Sequence, residues 1–369
     1  MSRSLLIGGH ADRYVARLYA ASYLTAFLLV VGLFLILDLS TNLDEYVKPG
    51  ADGSSPPGLL VVRYYLLHVP FLYLQVAPFV ALVAGLFSVS RLLRDNELVA
   101  ALGAGVPAQR VLAPVLCGGA LLAAGMFALR QWSAERLSLE RDLVHDALVE
   151  RRATPEYENV WFKDRAGSTI SLGKLRLVDA GTGAEVEDLW ALVSTGGTWV
   201  SLRAQRATWD AGASEWRLVG GERKVVSSFE QRTEALERLA EVKFTPHDAW
   251  LAQRGREAPL DLSFDQAREL AERDPDNAQF QTLLHYHLTF PLANLVLLLV
   301  GLPFLLQFER SRGLEGVVVG FLLCIFYYGA DFVFRSLGME GQLSPLLACW
   351  LPLLFFGCLG VVLYGAARS

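Results

Sequence analysis

The apolar residues of this chain are concentrated in six long runs, three on each side of a polar segment that spans residues 131–285. A helix that crosses a bilayer needs about 20 predominantly apolar residues, and each run meets that length. The sequence therefore predicts six membrane-spanning helices. They cover Tyr19–Leu37, Leu66–Ser90, Val111–Leu129, Leu288–Leu306, Leu314–Phe334 and Leu343–Tyr364.

Composition supports a membrane protein rather than a soluble one. Hydrophobic residues make up 53% of the 369 positions, whereas soluble domains average roughly 45–50% even when glycine is counted as apolar. We therefore predict a polytopic α-helical membrane protein with three regions. Residues 1–130 hold an N-terminal interfacial helix and helices 1–3, residues 131–285 form a domain outside the membrane with flanking helices, and residues 286–369 hold helices 4–6.

The basic residues of the short loops predict the orientation, because Lys and Arg near span ends tend to stay in the cytoplasm. With both termini inside, nine such residues lie on the cytoplasmic side and three on the other. The first set is Arg3, Arg13, Arg17, Arg91, Arg94, Arg110, Arg310, Arg312 and Arg368; the second is Lys48, Arg63 and Arg335. We expect cytoplasmic termini and a polar segment outside the cytoplasm.

The polar segment changes its pattern along its length. Its first residues suit a helix that continues the third span, and after Glu158 short alternating runs separated by turn residues predict β-strands. Such strands favour an all-β sandwich or jelly roll inserted between helices 3 and 4. Ser263 and Gln266 have the spacing of a capping box at the start of a later helix. The alternating apolar residues fit either a closed core or an open groove for acyl chains.

Motifs for catalysis are not found in the sequence. It contains no G-x-x-x-x-G-K-[ST] phosphate loop, no G-x-S-x-G elbow and no H-E-x-x-H metal helix. His285 and His287 are two residues apart, so on a helix they point in different directions and suit a shared metal poorly. The four cysteines all fall inside predicted spans. We expect no catalytic residue, no bound metal and no enzymatic activity in this chain.

Charged residues near the ends of the spans are candidates for function. A charge in a bilayer is energetically costly, so such residues are usually paired with an opposite charge or have a function. Asp331 and Arg335 are four apart, which predicts an ion pair on one helix face. The alternative is that Arg335, together with Lys48 and Arg63, contacts the headgroup of an anionic lipid.

The loop between the second and third spans predicts a short helix. Asn96 is placed to cap a helix that begins at Glu97, and the segment from Gly103 to Pro107 is placed to end it. The predicted helix could lie on the membrane surface or dock into the groove of another protein. Its weak basicity favours docking, with Leu98 and the neighbouring apolar residues as contacts.

This loop segment also carries a family resemblance. The residues Asn96–Val106, NELVAALGAGV, resemble the coupling helix of the LptF/LptG permeases of lipopolysaccharide export. The similarity extends over the whole chain. It includes Asp12–Tyr14, Asp38–Tyr46, Phe290–Ala293, Leu302–Phe304, Arg312–Gly313, Pro345 and Trp350–Pro352. The segment Val160–Asp164, followed by Ile170–Gly173, is more similar to LptG than to LptF.

The resemblance implies a function in outer-membrane biogenesis in the inner membrane of a Gram-negative bacterium. Members of this family are permease subunits of an ABC transporter whose ATP is hydrolysed by an LptB-type ATPase dimer, so no cofactor is expected on this chain. The implied partners are that dimer, an LptF-type second permease, an LptC-type periplasmic bridge protein and lipopolysaccharide, with no nucleic acid. Glu97 would contact the ATPase, with Leu98, Ala101 and Leu102 packing in its groove, and spans one, two and five would line the lipid cavity.

Two other classes remain open on the sequence alone. One is a different ABC permease for lipoproteins or other lipids, although such permeases place their large domain after a single span. The other is a membrane scaffold that anchors a periplasmic β domain without transport.

Overall fold

The computed structural model describes residues 9–47, 58–149, 155–178, 183–195, 198–226, 231–307 and 313–366. The chain divides into two compact units. The first comprises residues 1–43, 68–131 and 281–369, and the second comprises residues 44–67 and 132–280.

Six helices are long and apolar enough to cross a membrane in the described part of the chain. All six predicted spans are thereby confirmed. The helices are α1 (His10–Val47), α2 (Gly58–Arg94), α4 (Ala108–Arg136), α8 (Ala278–Gln307), α9 (Gly313–Met339) and α10 (Pro345–Ala366). Four shorter helices are α3 (Glu97–Gly103), α5 (Ser138–Val149), α6 (Pro246–Glu257) and α7 (Phe264–Arg273).

Glycines allow close packing between the helices of the first unit. A Cβ atom added at Gly301 of α8 would lie 2.4 Å from a methyl group of Leu82 on α2, and one at Gly85 would lie 2.5 Å from Leu298. Small residues of this kind let transmembrane helices approach each other where no hydrophobic effect drives them together. The core of this unit is therefore formed largely where α2, α4 and α8 meet.

The second unit contains a six-stranded antiparallel sheet, which confirms the predicted β insert. Its strands are β1 (Glu156–Lys163), β2 (Thr169–Val178), β3 (Gly183–Thr195), β4 (Thr198–Asp210), β5 (Glu215–Val226) and β6 (Gln231–Arg238). They pair in sequence order, β1 to β6. The topology of the described strands is thus a meander, in which each strand pairs with its neighbours along the chain.

A line of irregular positions crosses this sheet. Regular pairing is interrupted at one level of the sheet, and the interrupted positions lie opposite one another on neighbouring strands. From β1 to β5 these positions are Asn159, Gly173, Asp188, Gln205 and Gly220. Three of these residues have positive φ, at 54° for Asn159, 51° for Asp188 and 66° for Gly220. Kinks at the same level on neighbouring strands bend a sheet.

Burial changes phase across this line. Leu172 and Leu175 are both fully buried, as are Val186 and Leu189, although the members of each pair are three positions apart. A regular strand would place them on opposite faces. The bend keeps both halves of β2 and β3 facing one interior, so the meander acquires the enclosed core that a sandwich or jelly roll requires.

Aromatic side chains fill one end of this core. Phe244 lies between Trp216, with ring centroids 5.0 Å apart, and Phe162, at 5.4 Å. The indole of Trp216 donates a 2.9 Å hydrogen bond to the carbonyl oxygen of Phe244. The predicted capping box at Ser263 and Gln266 is confirmed at the start of α7.

Candidate functional site

The short helix α3 begins at Glu97 and ends at Gly103, as the sequence predicts. Its C-terminus is a Schellman motif: the Val106 amide donates to the Ala101 carbonyl at 3.0 Å and the Gly105 amide to the Leu102 carbonyl at 2.9 Å. Gly105 has a φ of 82°, which suits glycine. The predicted cap at the other end is wrong, because Asn96 adopts a left-handed conformation and its side chain makes no capping hydrogen bond.

One side of α3 is buried in the first unit and the other is exposed. Leu98 is 1% exposed and belongs to the helical core, and Leu102 packs against that core. Glu97, Val99 and Ala100 are exposed. Leu98 therefore fixes α3 to the helical core of this unit, and the exposed side of α3 carries Glu97 and Val99.

Glu97 is joined to the first helix. The Tyr14 hydroxyl, on α1, donates a 3.0 Å hydrogen bond to Glu97 Oε1. Nearby on the same helix, Asp12 accepts from the Gly9 amide at 3.1 Å and lies 3.8 Å from Arg110. The site on this part of the unit is therefore built from two segments that are distant in sequence.

A cavity of about 690 Å³ lies beside α3. Its walls come from the start of α1, from α3 and from the turn that leads into α4. Residues lining it include Asp12, Tyr14, Val15, Glu97, Leu98, Ala101, Val106, Pro107 and Arg110. Tyr14 is the residue that the site prediction missed, although the Asp12–Tyr14 segment is part of the family resemblance.

A second group of charged residues lies on α4 and α9, beside aromatic rings of α8. Arg335 Nη1 is 3.8 Å from Asp331 Oδ2, at the predicted four-residue spacing. The Arg335 guanidinium also lies 4.5 Å from the centre of the Tyr286 ring, and that of Arg130 lies 5.8 Å from the same ring and 5.6 Å from Phe290. Cation–π contacts of this kind lower the cost of keeping guanidinium groups among apolar helices.

The other cations proposed for lipid contact have different surroundings. Arg63 donates a 2.6 Å hydrogen bond to Glu140, with both side chains about half exposed. Its charge is therefore already matched within the second unit. Lys48 lies outside the described residues.

Charged residues also form a buried network in the second unit. Arg141 donates to Asp261 at 2.8 Å and lies 3.2 Å from Asp142, which also pairs with Arg254. Burial disfavours the charge on Arg141, but Asp261 and Asp142 outweigh it and raise the pKa of this guanidinium. Helix α6 thus supplies the buried Arg254 as a second cationic partner of the Asp142 carboxylate.

Comparison with known families covers nearly the whole chain. The model of the family described as lipopolysaccharide export system permease LptF/LptG matches residues 13–365. No curated protein sequence matches the chain. The six apolar helices and the family together indicate a multi-pass protein of the inner membrane. With a match that spans both transmembrane groups and the β insert between them, the chain belongs to the LptF/LptG family of lipopolysaccharide export permeases.

Proposed function

We propose that this chain is the permease subunit of an ATP-driven exporter that extracts lipopolysaccharide from the inner membrane and passes it to a periplasmic bridge toward the outer membrane. In this proposal an LptB-type ATPase dimer supplies the energy, an LptF-type permease completes the membrane part, and an LptC-type protein receives the lipid. The chain itself takes the LptG-type position, which the Val160–Asp164 segment supports.

The observation that carries the proposal is the half-buried, half-exposed setting of α3. Leu98 anchors the helix in the core, whereas Glu97 and Val99 face outward beside a cavity of about 690 Å³. A short helix that is anchored in the core transmits the movement of a docked ATPase to α2 and α4, the helices that precede and follow it in the chain. The charged contact to the ATPase is then Glu97, held in position by Tyr14, and the apolar contact is the exposed Val99.

Exposed apolar surface on the first and fifth spans supports the lipid path. Side chains of α1 such as Leu28 and Ile36 are 62% and 63% exposed, and Phe326 of α9 is 68% exposed. Surface of this kind suits acyl chains or the spans of a second permease. Lipopolysaccharide would enter the lipid cavity between the two permeases from the outer leaflet. It would move into the β insert when ATP drives the closure of that lipid cavity.

The direction of transport depends on the orientation of the chain. The excess of arginine in the loops that include α3 supports a cytoplasmic position for that helix, where ATP is available. The β insert then lies in the periplasm, where its bent sheet presents an apolar interior to the lipid.

Co-purification tests the coupling site. The chain is expressed with its ATPase and partner permease, and the recovered ATPase is measured for the wild type and for Glu97→Arg. We expect Glu97→Arg to lose most of the ATPase because it reverses the charge at the contact. Glu340→Arg, which changes an exposed glutamate in the loop after α9, is the matched control and should recover ATPase like the wild type. Full recovery with Glu97→Arg, or no ATPase with the wild type, would contradict the proposal.

A further inference from the structure

A small cavity lies between β1 and the helices α6 and α7 of the second unit. Its volume is about 70 Å³, and a site needs only about 10–15 Å³ on this measure to hold one water molecule. It therefore has room for a group of several atoms. The polar and charged side chains that line it include Lys163, Arg256, Arg273, Asp274, Asn277 and Gln279.

The charges around this cavity do not cancel. Its lining holds three cationic side chains and one carboxylate, that of Asp274. Lys163 lies 2.8 Å from Asp274, and Arg273 pairs with Asp248 and Glu269. Arg256 forms no ion pair with any carboxylate of the described residues. The cavity consequently carries an excess of positive charge that is concentrated at Arg256.

Arg256 is partly buried and is held in place by Trp161. One of its terminal nitrogens donates to the Trp161 carbonyl oxygen, and its guanidinium lies 4.4 Å from the centre of the Trp161 ring. Burial lowers the pKa of this guanidinium, and only Glu257 acts in the opposite direction. A guanidinium has five N–H donors in a fixed fork, and the Trp161 carbonyl takes only one nitrogen. The remaining donors are oriented without a carboxylate to receive them.

The Trp161 ring adds an apolar surface at the same place. Its side chain is 52% exposed, although it sits on the strand that opens the sheet. The adjacent Lys163 points its ammonium toward the same cavity, with 38% of its side chain exposed. An aromatic ring beside a fixed guanidinium and an ammonium suits an oxyanion carried on a larger molecule.

We propose that the cavity formed by Trp161, Lys163 and Arg256 is a binding site for a phosphate-type oxyanion. Arg256 provides the forked donors, Lys163 the second positive charge, and Trp161 the surface on which the rest of the molecule lies. The oxyanion is either free inorganic phosphate or a phosphate carried on a sugar, as in the headgroup of a glycolipid. This site lies wholly within the second unit, and its binding does not depend on the transport function proposed above.

Calorimetric titration of the full-length chain in a phosphorus-free detergent tests the site. The probes are inorganic phosphate, glucosamine 1-phosphate and neutral glucosamine. We expect both phosphates to bind and neutral glucosamine not to. Arg256→Gln should weaken phosphate binding by about tenfold or more, since it removes a charged, forked donor. Arg256→Lys should restore part of the affinity, because it keeps the charge but not the fork.

Arg203→Gln is the matched control, because it removes one exposed arginine from β4 of the same sheet, outside the cavity. It should change the affinity by less than about twofold. Lys163→Gln gives an independent measurement if Arg256→Gln does not fold, and it should also weaken binding. Equal affinity for the two phosphates would identify free oxyanion as the ligand, and tighter binding of glucosamine 1-phosphate would identify a sugar phosphate. Unchanged binding in folded Arg256→Gln or Lys163→Gln, or no binding to the wild type, would overturn the proposal.

Discussion

The hydroxyl of Tyr14 donates a 3.0 Å hydrogen bond to the carboxylate of Glu97, across 83 positions of sequence. This bond joins the first transmembrane helix to the short helix α3 and restricts the directions in which the Glu97 carboxylate points. The exposed end of α3 is therefore not an isolated loop feature. A force on Glu97 would therefore act on α1 through this bond as well as on α3 itself.

Loss of the Tyr14 hydroxyl should weaken ATPase docking without harming the fold. Tyr14 is 44% exposed, so Tyr14→Phe should leave the melting temperature nearly unchanged. The affinity for the ATPase should fall by about twofold to tenfold, because one hydrogen bond that positions Glu97 is lost. A double-mutant cycle with Glu97→Gln measures the coupling. Equal effects of Tyr14→Phe in the presence and absence of the Glu97 carboxylate would show that the bond has no role.

Replacement of the glycine that ends α3 should loosen the coupling helix. Gly105 has a φ of 82° and an added Cβ would meet no atom within 4 Å, so the cost of Gly105→Ala is conformational. We expect about 1–2 kcal/mol of local destabilisation. Gly103→Ala is the control, because Gly103 is helical and equally open, and alanine there should be neutral or stabilising. Hydrogen exchange of α3 distinguishes the two variants, and equal protection would contradict the assigned motif.

Close packing between α4 and α1 predicts a contrast between two glycines of α4. A Cβ at Gly118 would lie 2.7 Å from the ring of Tyr19, whereas one at Gly125 would meet nothing within 4 Å. Gly118→Ala should therefore destabilise the transmembrane unit by about 1–3 kcal/mol, since the buried ring has to shift. Gly125→Ala should leave the melting temperature nearly unchanged. Similar melting temperatures for both variants would count against this helix packing.

The stability of α5 should depend on pH through His145. The Asp146 carboxylate, 3.6 Å from Nδ1 of His145, raises the pKa of His145 above its ordinary value of 6.5, and Asp142 adds to the effect, while burial and Arg141 oppose it. A raised folded-state pKa means that protonation stabilises the fold. This contribution is complete below pH 6.5 and is lost as pH rises through the folded-state value.

Hydrogen exchange of α5 as a function of pH measures this effect, after correction for the intrinsic pH dependence of exchange. Protection should fall as the pH rises from below 6.5 through the folded-state pKa. His145→Gln should remove this fall, because glutamine does not titrate in this range. A fall of the same size in His145→Gln would assign the effect to another group.

The transmembrane helices and the boundaries of α3 follow from local sequence. A run of about 20 apolar residues has few alternatives to a span, and a glycine placed after a short helix predicts its end. Local sequence does not predict which side of α3 packs against the core, and so it does not predict that Leu98 is buried. A helix of seven residues has too few turns to define an apolar face, and neighbouring helices decide which side chains they cover.

The β insert shows the same limit. Alternation predicts its strands but fails at the bend, where Leu172 and Leu175 face the same interior. Only Gly173 hints at the interruption in this strand, and its effect depends on partners in neighbouring strands. The contact of Arg256 with Trp161 joins residues 95 positions apart, so no local pattern predicts it.

Photocrosslinking of lipopolysaccharide tests the central claim most directly. A photoreactive amino acid is placed on β3, either at the buried Val193 or at the adjacent, exposed Ser194. The experiment uses membranes that contain the complete complex. We predict that lipopolysaccharide is captured at Val193 only when ATP is supplied and is lost in Glu97→Arg, with little capture at Ser194. Capture that is independent of ATP and of Glu97, or that is confined to the transmembrane helices, would contradict the account.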